Sequence, residues 1–209
     1  MDITHVFFDI GGVLGTNGWD REQRARAAER FHLDEEFGWR HDELVGEWET
    51  GRIDLEDYLE SAVFYCPRDF SAEEFTAFMK EQSRPFPESV ALAGRLAGRS
   101  DLTLMTFNNE AAELNLHRIE TFGLRPIFSA FLSSCWLGAR KPSRQMFARA
   151  LGIAQAEAGQ VLFIDDRDQN LAPARALGFR TLLFTGAAAL ERDLTGLGLL
   201  EPAPPRSAP

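Results

Sequence analysis

The chain has 209 residues, of which 44% are hydrophobic and 26% charged, and its formal net charge is -10. That length admits one ordinary core plus a smaller insertion, and the balance of apolar and charged residues excludes wholesale disorder. So acidic a chain carries no basic stripe to neutralise a nucleic-acid backbone or an anionic bilayer, which excludes both as expected partners.

No basic leader follows Met1 and no window approaches the roughly 20 apolar residues of a membrane span, so a cytoplasmic location is expected. His5 to Phe8 is an apolar, β-favouring run that ends at Asp9 and predicts a buried strand. Residues 16–84 then change character, with charge-rich helical periodicity over Arg21 to Phe31, Asp42 to Glu49, Leu55 to Phe64 and Ala72 to Gln82. A connection of that length is not a bare loop, so it is read as a small α-helical cap inserted after the first strand, with residues 1–15 and 85–200 forming the core. Cys66 here and Cys135 further on stand far apart without zinc-type spacing, which predicts a reducing compartment and two small buried hydrophobes.

From Pro87 the pattern alternates. Helices are expected over Pro87 to Ala97, Glu110 to Phe122, Pro142 to Leu151 and Asn170 to Leu177. The third has proline near its first turn, and Gly123 and Gly178 follow the second and fourth as stop signals. Strands are expected over Leu102 to Met105 before Thr106, Phe128 to Leu132 before Ser133, Val161 to Ile164 before Asp165, and Thr181 to Phe184. The proline-rich tail 201–209 is expected to be disordered, and no internal repeat is found. Alternating strands and helices predict an α/β fold, a doubly wound parallel sheet with helices on both faces, whose ligands gather at the carboxyl ends of the strands.

The polar residues fall at those ends. Asp9 is followed by Gly11 and Gly12, so a carboxylate able to act as nucleophile or metal ligand stands beside backbone that an anion can approach closely. Asp165 and Asp166 put adjacent acids at a second strand end, followed by Arg167 and Asn170; hard oxygens with no nearby histidine favour magnesium over zinc. Lys141 precedes Pro142 at a predicted helix start, where an ammonium can pair with both a carboxylate and a phosphate. Asn108 and Asn109 follow the strand that ends near Thr106, and their amides, with the next helix N-terminus, can hold a phosphoryl oxygen.

In this order, these segments resemble the four motifs of the haloacid dehalogenase (HAD) superfamily over nearly the whole core. The sequence is similar to the subgroup of α-glucose-1-phosphate phosphatases and the amino-terminal phosphatase domain of soluble epoxide hydrolase, which share a paired-aspartate motif like Ile164-Asp165-Asp166 followed by Asn170. The resemblance implies a magnesium-dependent phosphatase acting on a small phosphorylated metabolite, a sugar phosphate favoured, through an aspartyl-phosphate at Asp9. It implies that Asn108, or less readily Thr106, holds the phosphate and that Lys141 neutralises it. Asp9, the Gly11 carbonyl and Asp166 would hold the magnesium, with Asp165 in the same acidic motif and Asn170 orienting that shell.

One departure bears on the rate: most phosphatases of the superfamily carry an acid–base aspartate where this chain has Gly11. That role is usually worth about a hundredfold to ten-thousandfold. Glycine there also suits a positive φ that a side chain would strain. The cap could deliver a donor instead, with Asp20 and His41 the candidates, and Trp19, Trp39, Trp48 and Tyr58 could line a sugar pocket, although such residues more often form a cap's own core. A metal-independent 2-haloacid dehalogenase and a non-catalytic phosphate-binding or interaction module are the alternatives. Oligomeric state is not specified by the sequence.

Overall fold

The structure, a computed structural model, describes residues 2–201. Apart from Glu201, the tail expected to be disordered lies outside the described residues. Five parallel strands form one sheet among the described residues: β1 His5–Phe8, β2 Thr103–Asn108, β3 Ala130–Ser133, β4 Val161–Asp165 and β5 Arg180–Leu183, in the order β3-β2-β1-β4-β5. The order makes β1 central and reverses the winding between β1 and β4, the place where a doubly wound sheet opens a crevice at its carboxyl edge.

The strands read as apolar runs because both faces are covered. Successive side chains point to opposite faces. Val6 and Phe8 pack with Leu104, Leu162 and Ile164 against α5 (Pro87–Ala97) and α10 (Ala187–Gly196). Phe7 packs with Met105, Phe107 and Phe163 against α8 (Arg144–Ala154) and α9 (Asp168–Ala176). Each such fully buried phenylalanine contributes about 1.5–3 kcal/mol.

Between β1 and α5 lie α1 (Arg21–Arg30), α2 (Phe37–Trp48), α3 (Leu55–Ala62) and α4 (Ala72–Glu81). They share a third apolar cluster that includes Trp19, Phe31, Trp48, Tyr58 and Phe75 and closes on Ala111 and Leu114 at α6 (Ala112–Thr121). Their starts are locally encoded: Asp54 with Asp57, and Ser71 with Glu74, form reciprocal capping boxes at α3 and α4.

Several boundaries differ from expectation. β2 continues to Asn108, so Thr106 lies within the strand. The helix expected from Pro142 begins at Arg144, because Ser143 caps it by accepting from Met146 N; Pro142 stays outside, joined to Lys141 by a cis peptide. α2 begins at Phe37, ahead of Asp42. A short helix α7 (Ser134–Leu137) and α10 have no expected counterpart, although Leu190 and Leu194 of α10 do face the core at helical spacing. Of the cysteines, Cys135 is buried and Cys66 only half-buried, and both are free.

Candidate active site

Asp9 directly follows β1, and its NH donates to the Ile164 carbonyl at 2.9 Å, which continues the β1–β4 pairing one step past the strand. Since Phe8 stands opposite Ile164, the register brings Asp9 level with Asp165 at the carboxyl edge of the reversal point. Lys141 closes the group from the loop before α8. Its Nζ donates to Asp165 Oδ2 at 2.7 Å and lies 3.1 Å from Asp9 Oδ1. Burial works against the ammonium, but the two carboxylates outweigh it and hold the lysine charged. Asn109 fixes this loop by a two-way clamp: its Oδ1 accepts from Lys141 N at 2.8 Å and its Nδ2 donates to the Lys141 carbonyl at 2.9 Å.

The two adjacent acids have different surroundings. Asp165 is fully buried, and besides Lys141 its oxygens accept from Arg167 N at 2.8 Å and from Asn170 Nδ2 at 3.0 Å to each oxygen. Asp166 is partly exposed, and its Oδ1 is buried without a hydrogen-bond partner. Oxygens of Asp9, Asp165 and Asp166 lie within 4.8 Å of one another. Burial pushes the Asp9 carboxyl up against the pull of Lys141, and Asp165 and Asp166 push the same way; Asp166 is likewise raised by burial and by Asp165. Crowded hard oxygens with an unsatisfied member suit a hard divalent cation, which would favour their ionised forms. Gly12 belongs to the same cradle: at φ 76°, a Cβ there would fall 2.3 Å from Asp166 Oδ2.

A cavity of about 260 Å³ opens over Asp9, Gly11 and Lys141. The helices of residues 16–84 supply part of its wall through Trp19, Asp20, Arg24, His41 and Glu49. Asp20 is ion-paired with Arg167. Burial pushes its carboxyl up, but the Arg21 NH and Arg167 outweigh that and hold it below the usual range. His41 Nδ1 shares a 2.9 Å hydrogen bond with Tyr58 Oη, and burial, with Arg24 and Arg140 nearby, brings its pKa down to about 3. An ionised carboxylate and a neutral, engaged imidazole are poor proton donors.

Other expected residues lie elsewhere. Asn108 is buried in a ring: its Nδ2 donates to Asn115 Oδ1 at 2.9 Å, Asn115 Nδ2 donates to Ser133 Oγ at 2.8 Å, and Ser133 Oγ donates back to Asn108 Oδ1 at 2.9 Å. Both functional atoms of its amide are thus committed away from the cavity, whereas Asn109 lines it. Thr106 is fully buried in β2 and its Oγ1 has no hydrogen-bond partner. Trp48 stacks on Tyr58 with ring centres 4.1 Å apart inside the helical cluster, Trp39 is exposed on the surface, and Trp19 alone of the four proposed aromatics reaches the cavity.

Charged wall residues that were not expected include Glu49, Glu110 and Arg118. Arg118 is 1% exposed and pairs with Glu110 at 2.9 Å. Its remaining bonds run from Nε to Ser83 Oγ and from Nη2 to the Asn17 carbonyl. Nη1 lies 3.5 Å from where a Gly11 Cβ would stand. Glu110 could have been noticed beside Asn108-Asn109, but nothing local marks Glu49 or Arg118.

A family model described as haloacid dehalogenase-like hydrolase matches residues 3–178. The chain is 30% identical over 233 residues to bifunctional epoxide hydrolase 2 of Sus scrofa, covering 99% of this chain and 42% of that protein. It is 30% identical over 153 residues to flavin mononucleotide hydrolase 1 of Arabidopsis thaliana, covering 73% of this chain and 61% of that protein. It therefore spans less than two thirds of either relative. Among solved structures, the HAD family enzyme bt-2542 of Bacteroides thetaiotaomicron superposes with a TM-score of 0.76 at 20% identity, covering 88% of this chain and 94% of that one. That enzyme has also been solved in complex with magnesium and inorganic phosphate, where the TM-score is 0.73, again at 20% identity, over 87% and 93% of the two chains.

Proposed function

Since the chain belongs to the haloacid dehalogenase-like hydrolases, we propose that it is a magnesium-dependent phosphatase that hydrolyses a small phosphorylated metabolite through covalent phosphorylation of Asp9. The observation that carries the reading is the ammonium of Lys141 held between Asp9 and Asp165 beside the unsatisfied oxygen of Asp166, with Asp9 and Lys141 lining a polar cavity. Phosphoryl transfer needs an in-line nucleophile and positive charge on the phosphoryl oxygens, and little else from the protein. Asp9 is the nucleophile, and Lys141 neutralises both it and the incoming group. Asn109 keeps Lys141 in place through its backbone clamp.

The metal would be held by Asp9, Asp166 and the Gly11 carbonyl. Asp165, whose oxygens already accept four hydrogen bonds, stands behind them, with Asn170 orienting it. Magnesium bound there would supply further positive charge to the phosphoryl oxygens. The magnesium and phosphate bound by the Bacteroides enzyme support this part of the reading.

Residues 16–84 act as a cap, since side chains of theirs share the cavity wall with Asp9. About 260 Å³ is below the ~300–1,000 Å³ typical of drug-sized ligands, and the only indole or phenyl ring in the described wall is Trp19. A compact polar substrate such as a sugar phosphate fits that space better than a flavin nucleotide. The test is phosphate release from sugar phosphates, nucleotides and acyl phosphates, with and without magnesium. Turnover is expected only with magnesium, and Asp9→Asn should abolish it while phosphate still binds. Unchanged turnover in excess chelator, or wild-type rates in Asp9→Asn, overturns the mechanism. Halide release from 2-haloacids in chelator would establish the dehalogenase instead, and phosphate binding without turnover of any substrate the binding module.

A further inference from the structure

At the end of β1 the leaving group finds no proton donor, because the position two residues beyond Asp9 is Gly11. The cavity wall itself narrows the choice. Asp20 is ionised against Arg167, and His41 is engaged by Tyr58. Asp42 is exposed to solvent. Glu110 has both oxygens committed, Oε1 to Ala111 N at 3.2 Å and Oε2 to Arg118 at 2.9 Å.

Glu49 differs from all of these. It caps the C-terminus of α2, and its buried Oε2 is ion-paired with Arg140 Nε at 2.7 Å. Among the described residues only that oxygen of Glu49 is paired, whereas both oxygens of Asp20 and of Glu110 are. The turn after Glu49 is pressed onto the core: Gly51, at φ 70°, comes so near that a Cβ would lie 2.4 Å from the Cys135 carbonyl. Glu49 is thus held at the seam between the inserted helices and the core, in the same cavity wall as Asp9 and Gly11.

We propose that Glu49 is the acid–base residue of this site, carried in by the inserted helices where the strand end offers only Gly11; the proposal rests on the phosphatase reading. In the first half-reaction an Asp9 carboxylate oxygen bonds to phosphorus as the bond from phosphorus to the ester oxygen breaks. That oxygen keeps the bonding pair, takes the Glu49 proton and leaves as an alcohol. In the second, a water oxygen bonds to phosphorus and the bond to Asp9 breaks, its electron pair returning to the carboxylate. The water's proton passes to Glu49, and inorganic phosphate leaves with both residues restored.

The surrounding charges suit that task. Burial pushes Glu49 up to about 7; Arg140 and Arg118 pull it down, and Glu110 pushes it up. A carboxyl group tuned near neutrality can both give and take the proton.

The test compares para-nitrophenyl phosphate, a good leaving group, with glycerol phosphate, a poor one, across pH in magnesium. In the wild type, kcat/KM for glycerol phosphate should fall as pH rises through about 7, where Glu49 loses its proton. Glu49→Gln should lower it about a hundredfold or more, lower the para-nitrophenyl rate far less, and erase the fall. Glu49→Asp should restore part of the glycerol phosphate activity with the fall displaced. Equal losses on both substrates, or an intact fall in Glu49→Gln, overturns the assignment. So does a wild-type profile flat through neutrality, which needs no variant to fold. Absence of phosphate release from any substrate by the wild type overturns the phosphatase reading itself.

Discussion

At the scale of single residues, the chemistry turns on Gly11 and its surroundings. Its backbone is ordinary, and the left-handed conformation belongs to Gly12, so conformation is not what excludes a side chain at position 11. A Cβ there would stand 3.2 Å from Asn17 Oδ1 and 3.5 Å from Arg118 Nη1. Gly11→Asp therefore sets a carboxylate against a buried guanidinium, and an opposite charge that close lowers a carboxyl pKa by about 1–3 units. The variant should fold, with Asn17 yielding slightly, yet its new acid stays ionised at neutral pH. No selective gain on alkyl phosphates is expected. A gain of about tenfold or more in kcat/KM on glycerol phosphate relative to para-nitrophenyl phosphate would show that the added carboxyl donates after all.

At the scale of elements, the ring of Asn108, Asn115 and Ser133 ties β2, α6 and β3 together beneath the site. Asn115→Ala leaves the buried Asn108 Nδ2 donor and Ser133 Oγ acceptor without their partner, which costs about 1–3 kcal/mol. Urea unfolding should register that loss, while KM for phosphate substrates should change little, because the Asn108 amide is turned away from the cavity. Full stability together with a raised KM would instead return Asn108 to the role of phosphate holder. The seam between the inserted segment and the sheet is another element-scale feature, since Arg140 and Arg167, next to Lys141 and Asp166 in sequence, each meet a carboxylate from that segment, Glu49 and Asp20. Charges of the inserted helices are thereby coupled to the residues that would handle the phosphoryl group.

At the scale of the whole molecule, three carboxylates gathered at one sheet edge against one lysine make the folded state a better cation host than the unfolded chain. Magnesium at a hundred times its Kd should stabilise the fold by about 2.7 kcal/mol, or roughly 5–10 °C in Tm for a chain of this size. Asp166→Asn should remove most of that shift, and sodium chloride at equal ionic strength should not reproduce it. No rise with millimolar magnesium would speak against the metal site. Among the described residues no helix is long and apolar enough to cross a membrane, and helices cover both faces of the five-stranded sheet. Much of it was legible in the sequence. Strands covered on both faces must be apolar throughout, so their runs, and the acids and lysine beyond their ends, could be read directly, and parallel register then carries Asp9 and Asp165 to one edge. Helix α10 sets Leu190 and Leu194 toward the core at helical spacing, but its short Ala-rich start after Gly186 carries no side-chain cap to mark it. What only the tertiary structure decided is which polar atoms remain open for chemistry. Asn108 is closed off by partners at 115 and 133, Asp165 by the donors around it, and Glu49 is brought beside Arg140 by a fold-back of the inserted helices. Periodicity reports which face of an element is buried; hydrogen-bond saturation and desolvation depend on neighbours far away in the chain, and only packing determines those.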